Sequence, residues 1–363
     1  MTQPSKLTGL VAAAAVLGLV GCGATRRHPP RPAKTAIQTT AHAPRSAQEA
    51  PARVPRAPLQ ALVTAQTENQ VLVVDLPSGR VVRRLSVPGD PEYVATSLNG
   101  ASGTAAVVSA RSGSVTLFDL GSLRRVKVFG GFVSPHIPAI LDGDYAYVTD
   151  DASGKLTVIG LYNDRVVARI EVGAGAHHLA FSPDHQQVWV ALGQSARKIA
   201  ILSTVISRPP PPSSPVGDPG HPHLVARFTP GFRAHDLLFT PDGRQVWVTS
   251  ADTSDVTVFN PRNRRRLFRV RAGPPPQHVA FDGRFAYLTS GYGSQIELVA
   301  LNTGQVLRQA RAPYGSFDLD AAAGYVVASS LLRGTLAIYS PQLRLLHVRH
   351  LAPSTEDVTI SRP

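Results

Sequence analysis

The chain has 363 residues, a formal charge of +13 and a single cysteine. One cysteine excludes an intramolecular disulfide and any zinc site built on several thiolates. Thirty glycines and 31 prolines, against one methionine and two tryptophans, imply many turns and few helices, while 43% hydrophobic residues suffice for a packed core.

Residues 1–21 read as a targeting segment. Lys6 precedes an apolar run, Leu7 to Val20, that is too short to cross a hydrocarbon core, which takes about 20 residues. The run ends in Leu19-Val20-Gly21-Cys22, which resembles a bacterial lipobox. That resemblance implies a lipoprotein signal peptide, with Cys22 acylated and made the first residue of the mature protein. The implied address is extracytoplasmic, in the cell envelope, with the membrane as a partner through the anchor; stable anchoring takes more than one acyl chain. Residues 22–57 then form the lipidated cysteine and a tether. They are rich in Pro and Ala, with only Ile37 and Val54 as large aliphatics, too little to offset chain entropy by burial. Seven basic residues (Arg26, Arg27, Arg31, Lys34, Arg45, Arg53, Arg56) stand there against Glu49. Such a tether suits anionic headgroups, and it suits equally a solvated spacer.

Residues 58–363 are repetitive. Asn99-Gly100, Asp142-Gly143, Asp184-His185, Asp242-Gly243, Asp282-Gly283 and Ala323-Gly324 each separate two apolar runs, at spacings of 43, 42, 58, 40 and 41 residues. A period near 40 with several short strands per unit means propeller blades. Each turn is followed by a run such as Ala146-Tyr-Val-Thr149 or Val246-Trp-Val248, then by an alternating strand such as Leu156-Thr-Val-Ile159 or Val256-Thr-Val-Phe259. A cation-rich fourth run such as Arg80-Val-Val-Arg-Arg-Leu85 comes next. Alternation and β-branching argue strands. The long spacing comes from a Pro-rich insertion at about 206–221, which includes Pro209–Pro212 and must be a surface loop.

Inner strands are expected to begin near Tyr93, Ile137, His178, Asp236, His278, Asp318 and Asp357, which makes seven blades. The first unit opens with Ala61-Leu-Val-Thr64, a second-strand motif, and the chain ends with Asp357-Val-Thr-Ile-Ser361, an inner strand with no unit after it. Together they predict a composite blade that closes the ring. The expected fold class is therefore all-β, a seven-bladed β-propeller behind a signal peptide and a disordered tether. The motifs Tyr147-Val-Thr, Leu156-Thr-Val-Ile, Arg165-Val-Val-Ala-Arg-Ile-Glu-Val-Gly173 and His177-His-Leu-Ala-Phe-Ser-Pro-Asp184 resemble the YVTN (YncE-like) β-propeller repeat, over about residues 60–361. Ala323-Gly324 and Thr96-Ser-Leu98 depart from the pattern.

Two constellations carry chemistry. Loops leading into the inner strands line one mouth of the axial channel. They read Pro91-Glu92, His136, His177-His178, His235-Asp236, Gln277-His278, Asp318 and Glu356-Asp357. Imidazoles and carboxylates suit a divalent transition-metal ion or acid–base work, and polar residues also line a wet channel for no further reason. The blade period itself sets their spacing, so spacing adds no argument for a metal. Register places His178, Asp236 and His278 at the centre of the candidate site, with His235, Asp318 and Asp357 beside them. Strand alternation turns His177 into the loop layer. The second constellation is the outer strand, where Arg264, Arg265, Arg266, Arg269 and Arg271 cluster. Cations protect an exposed edge from aggregation, or bind an anionic polymer or lipid, and an envelope protein is a further candidate partner of the chain. No aromatics interleave them, which argues against nucleic acid.

No nucleophile elbow, phosphate loop or His-Glu-x-x-His motif occurs. The resemblance implies a monomeric, lipid-anchored binding or scaffold protein. The alternative is a ligand- or metal-dependent enzyme of lactonase or lyase type that uses the funnel.

Overall fold

Runs such as Leu72-Val-Val74 and Val107-Val108 carry too many apolar side chains for a sheet with one wet face. The computed structural model, which describes residues 59–99, 102–193, 197–204 and 222–361, shows why. Seven four-stranded antiparallel sheets stand face to face around an axis, so the two middle strands of each are buried on both sides. Ala146, Tyr147, Val148, Leu156, Val158 and Ile159, for example, are all fully buried. The targeting segment, Cys22, the tether and the Pro-rich insertion lie outside the described residues.

Blades 2 to 7 are continuous in sequence: residues 91–129, 135–171, 179–228, 234–271, 279–311 and 318–350. Blade 1 is composite. The strand Val358–Ser361 pairs antiparallel with Gln60–Ala65, placing Val63 opposite Val358 and Ala61 opposite Ile360. Carboxylates tie this inner strand to both neighbouring blades, Asp320 reaching in from blade 7 and Asp357 reaching out to blade 2. Asp320 accepts the Ile360 amide at 2.7 Å, and Asp357 accepts the Val94 amide at 2.6 Å. No helix occurs among the described residues.

The fourth strand of every blade is largely exposed and mixes cations with aliphatic residues, as in Arg266–Arg271, where Leu267 is exposed and only Val270 is buried. All seven third-to-fourth strand pairs contain a register shift. Such a bulge twists the outer strand and makes its edge a poor template for a second chain. Arg264, Arg265, Arg266, Arg269 and Arg271 are all exposed on or beside this edge, with Arg269 3.8 Å from Asp255.

One hydroxyl per blade ties this scaffold to the channel mouth at four of the blade junctions. Buried Thr149, at the end of the second strand of blade 3, accepts the Ile137 amide of its own inner strand at 3.0 Å. It donates to the His177 carbonyl of the next blade at 2.6 Å. Thr64 does the same between Asp357 and Glu92, at 2.9 and 2.8 Å. Thr289 reaches the Phe317 carbonyl of blade 7, and Ser329 reaches that of Glu356. The mouth loops are thus hung from the neighbouring blade by groups that would otherwise be unsatisfied in a dry interior.

Candidate metal centre

The inner strands do not run straight into the mouth. Pairing skips two residues between Pro91 and Val94, between Pro135 and Pro138 and between Ala234 and Leu237, and the inner strand of blade 4 begins only at Leu179. Two consecutive residues per blade therefore escape strand alternation. They are Glu92-Tyr93, His136-Ile137, His177-His178 and His235-Asp236. This corrects the expectation for His177, whose ring lies in the same cluster as that of His178, at a centroid distance of 4.9 Å. A close approach helps blades 4 and 5 meet here. A side chain on Gly193 would put its Cβ 1.7 Å from the Ala234 carbonyl oxygen, next to His235.

Five imidazoles form one contiguous cluster. His136 stacks on His177 at 3.8 Å with planes 11° apart. His178 contacts His136, His177, His235 and His278 at 5.3, 4.9, 4.7 and 5.0 Å between centroids. The Nε2 atoms of His235 and His278 face each other at 3.1 Å.

Four of the five are oriented by carboxylates through Nδ1. His136 faces Glu92 at 3.2 Å, His177 faces Asp151 at 3.0 Å and His178 faces Asp236 at 3.2 Å. His278 lies 3.5 Å from Asp318 and 4.0 Å from Asp236. With Nδ1 engaged, the opposite nitrogen is left for another partner. The Nε2 atoms of His136, His177 and His178 are buried and have no hydrogen-bond partner among the described residues, and Oδ1 of Asp151 is in the same condition. Buried polar atoms are normally paired, so four orphans in one cluster call for an explanation. A carboxylate on one imidazole nitrogen with the other pointing inward is the arrangement that fixes a histidine as a metal ligand. Two triads, His136–His177–His178 and His178–His235–His278, each bring one ring nitrogen per residue to within 4.8 Å of the other two.

Electrostatics match. Burial, and then the neighbouring imidazoles, hold His136, His178 and His235 well below the usual imidazole range, so each keeps a lone pair at neutral pH. Burial acts downward on His278 too, but Asp318 and Asp236 outweigh it and raise the group. Burial, then Asp90 and Asp151, push Glu92 up to about 7. Burial also raises Asp236, against the pull of His278. Buried acids pushed upward beside three imidazoles pushed downward make an environment that a cation would relieve.

The remaining candidates divide. Asp318 joins the cluster through His278, and it also hydrogen-bonds Asp357. Asp357 belongs to an acidic arc with Glu356, Asp320 and Tyr93, where burial raises all four groups. Its carboxylate is committed to the Val94 amide, and that of Asp236 to the Leu237 and Val279 amides as well as to His178. Both acids therefore have structural duties. A separate cavity of about 490 Å³ opens between blades 4 and 5, among the turns at the far end of their inner strands. It is lined by Asp184, Trp189, Phe239, Asp242, Arg262 and Arg264.

No protein-family model matches the chain, and no curated protein matches it. Solved structures do. Kuenenia stuttgartiensis hydrazine synthase aligns with a TM-score of 0.66 at 15% identity, covering 82% of this chain and all of the other. A functionally unknown protein from Desulfotomaculum acetoxidans aligns at 0.68 and 15%, covering 84% and 99%. Apo AztD from Citrobacter koseri aligns at 0.61 and 10%, covering 84% and 98%. At such identities the likeness concerns the fold alone: the chain is a seven-bladed β-propeller whose mouth residues are its own to interpret.

Proposed function

We propose that this chain is a YVTN (YncE-like), lipid-anchored, extracytoplasmic propeller that binds a divalent transition-metal ion on His178, His235 and His278. The observation that carries this reading is the pattern of carboxylate-held Nδ1 atoms and inward-facing ring nitrogens among these histidines. Imidazole donors suit Zn²⁺, Cu²⁺ and Ni²⁺, and three of them leave a fourth position open. Ligand capture and presentation at a membrane surface fit a binding protein. A metal-dependent enzyme is the second reading, favoured by Glu92, whose carboxyl near 7 beside His136 suits proton transfer at neutral pH.

The test is metal binding by the purified propeller. Zn²⁺ and Cu²⁺ should bind, and His178→Ala should weaken binding at least 100-fold with an unchanged melting profile. A wild-type protein that retains no metal in dialysis sinks the proposal. For the anchor, Cys22→Ser should release the protein from the membrane fraction, because the thioether needs the sulfur.

A further inference from the structure

Strand direction tells the two ends of the ring apart. Each inner strand starts at the histidine mouth, so the turns from first to second strand and from third to fourth strand lie on the opposite, far face. The chain enters the propeller on that far face. Gln60 pairs with Asp75, and the Leu59 carbonyl accepts the Leu76 amide at 3.0 Å, beside the turn from the third to the fourth strand of blade 1. The preceding residues, with Cys22 and the basic stretch 22–57, therefore join the propeller at the end away from the histidines.

Cations are treated differently at the two ends. At the mouth end Arg111 pairs with Asp90, Arg197 and Arg233 with Asp252, and Lys155 with Glu171. Arg271, Arg311 and Arg333 also stand there, one to a blade. On the far face Arg262, Arg264 and Arg265 share a single turn, between the strands Asp255–Phe259 and Arg266–Arg271 of blade 5. Arg244 of the same blade and Arg284 of blade 6 stand in first-to-second strand turns, and all five are exposed. Arg244 has an acid in its own turn, Asp242 at 3.7 Å; the other four have no ion-pair partner among the described residues. The turn does not need their charge. Asn260 Oδ1 accepts the Arg262 and Asn263 amides at 2.9 and 3.3 Å, and Asn263 Oδ1 accepts the Arg265 amide at 3.0 Å. In blades 1 and 2 aspartates do that work, Asp75 and Asp119 accepting the Ser78 and Ser122 amides. Asn260 supplies the same geometry without a negative charge, beside three arginines. Edge protection does not account for Arg262, Arg264 and Arg265, because all three precede the exposed strand. An uncompensated cation cluster draws an anionic surface.

We propose that this far face docks on an anionic lipid bilayer through Arg244, Arg262, Arg264, Arg265 and Arg284, so that the histidine mouth faces away from the membrane. The setting rests on the reading of the chain as membrane-anchored; the contact itself needs only the arginines and acidic headgroups.

The full-length Cys22→Ser protein lacks both the acyl chains and the native thiol. Its partition onto phosphatidylcholine vesicles, with and without phosphatidylglycerol, should be strong only on the anionic ones and should fall with salt. Arg262→Gln combined with Arg265→Gln should weaken it about 25-fold, at about fivefold for each basic residue near the surface. A fluorophore on Asn302→Cys, in a far-face turn of blade 6, should be quenched by a lipid-borne nitroxide. One on Ser294→Cys, in a mouth-end turn of the same blade, should not. Equal or stronger quenching at the mouth-end label overturns the proposal. Unchanged partition of the folded arginine variant assigns vesicle binding to residues 22–57 and overturns it too. So does partition no stronger on anionic than on neutral vesicles, or a preference for heparin in solution, which gives the arginines to a polymer. Should the arginine variant fail to fold, the two labels decide alone. Release of Cys22→Ser from the membrane fraction tests the anchor separately, and its failure leaves the vesicle result standing.

Discussion

Replacing Thr149 by valine separates hydrogen bonding from packing at the point where the fold holds the site. The side chain is fully buried, and its hydroxyl serves two backbone groups, the Ile137 amide at 3.0 Å and the His177 carbonyl at 2.6 Å. Valine keeps the shape and leaves both groups unpaired in a dry interior. At about 1–3 kcal/mol for each, the loss is about 2–6 kcal/mol before relaxation, a large part of a stability of about 5–15 kcal/mol. Serine keeps the hydroxyl and loses one methyl, at about 1 kcal/mol. Counting apolar area alone predicts the reverse order, so urea unfolding of the two variants discriminates. Because Thr149 holds the His177-His178 segment, Thr149→Val should also weaken Zn²⁺ binding about 10–100-fold, as loss of an outer support does elsewhere. A valine variant as stable as the serine variant refutes the argument.

Truncation before Thr355 removes the inner strand of blade 1, with buried Val358 and Thr355. At about 1.5–3 kcal/mol for the valine alone, plus the ladder, the melting temperature should fall and the bare edge of Gln60–Ala65 should drive association. A truncated protein that stays monomeric in light scattering and melts at the wild-type temperature contradicts ring closure. Glu356 gives a pH test. Burial, then Glu92 and Asp318, raise its carboxyl well above the usual range, so its contribution is present below the unfolded value near 4.5 and lost as pH rises through the raised one. Glu356→Gln should therefore gain more stability at pH 8 than at pH 5, by about 1.4 kcal/mol for each pH unit crossed between the unfolded value and the raised one; an equal gain at both refutes it. Reversing Arg264, Arg265 and Arg266 to Glu should leave unfolding within about 0.5 kcal/mol. It should weaken adsorption to anionic vesicles with a flatter salt dependence. Unchanged adsorption leaves edge protection as their role.

Blades were legible because the packing that makes them is periodic in sequence. Asp-Gly turns, β-branched runs buried on both faces and a fixed spacing all report one physical unit, and the orphan strand Val358–Ser361 reported its missing partner. The hydroxyls that suspend the mouth were visible as Val63-Thr64, Val148-Thr149, Leu288-Thr289 and Ala328-Ser329, yet nothing in one strand says that its hydroxyl reaches the next blade. His177 escapes its expected place because alternation presumes continuous pairing, and pairing is interrupted where the inner strands meet the mouth.

Register gathered the histidines, but their orienting carboxylates depend on which way each ring turns. Glu92 is 44 residues from His136, and Asp151 is 26 from His177. The first separation is about one blade period, the same as between any two neighbouring mouth positions, so it distinguishes nothing. The second reaches back to a turn after the second strand of blade 3, which no inner-strand register includes. What singles these acids out is burial with a partner at hydrogen-bond distance, a property of two blades pressed together. The same logic explains why His136, visible at the mouth, stood outside the central candidates. Its role follows from stacking on His177, and that contact exists only because the inner strands of blades 3 and 4 both release their first residues from the ladder.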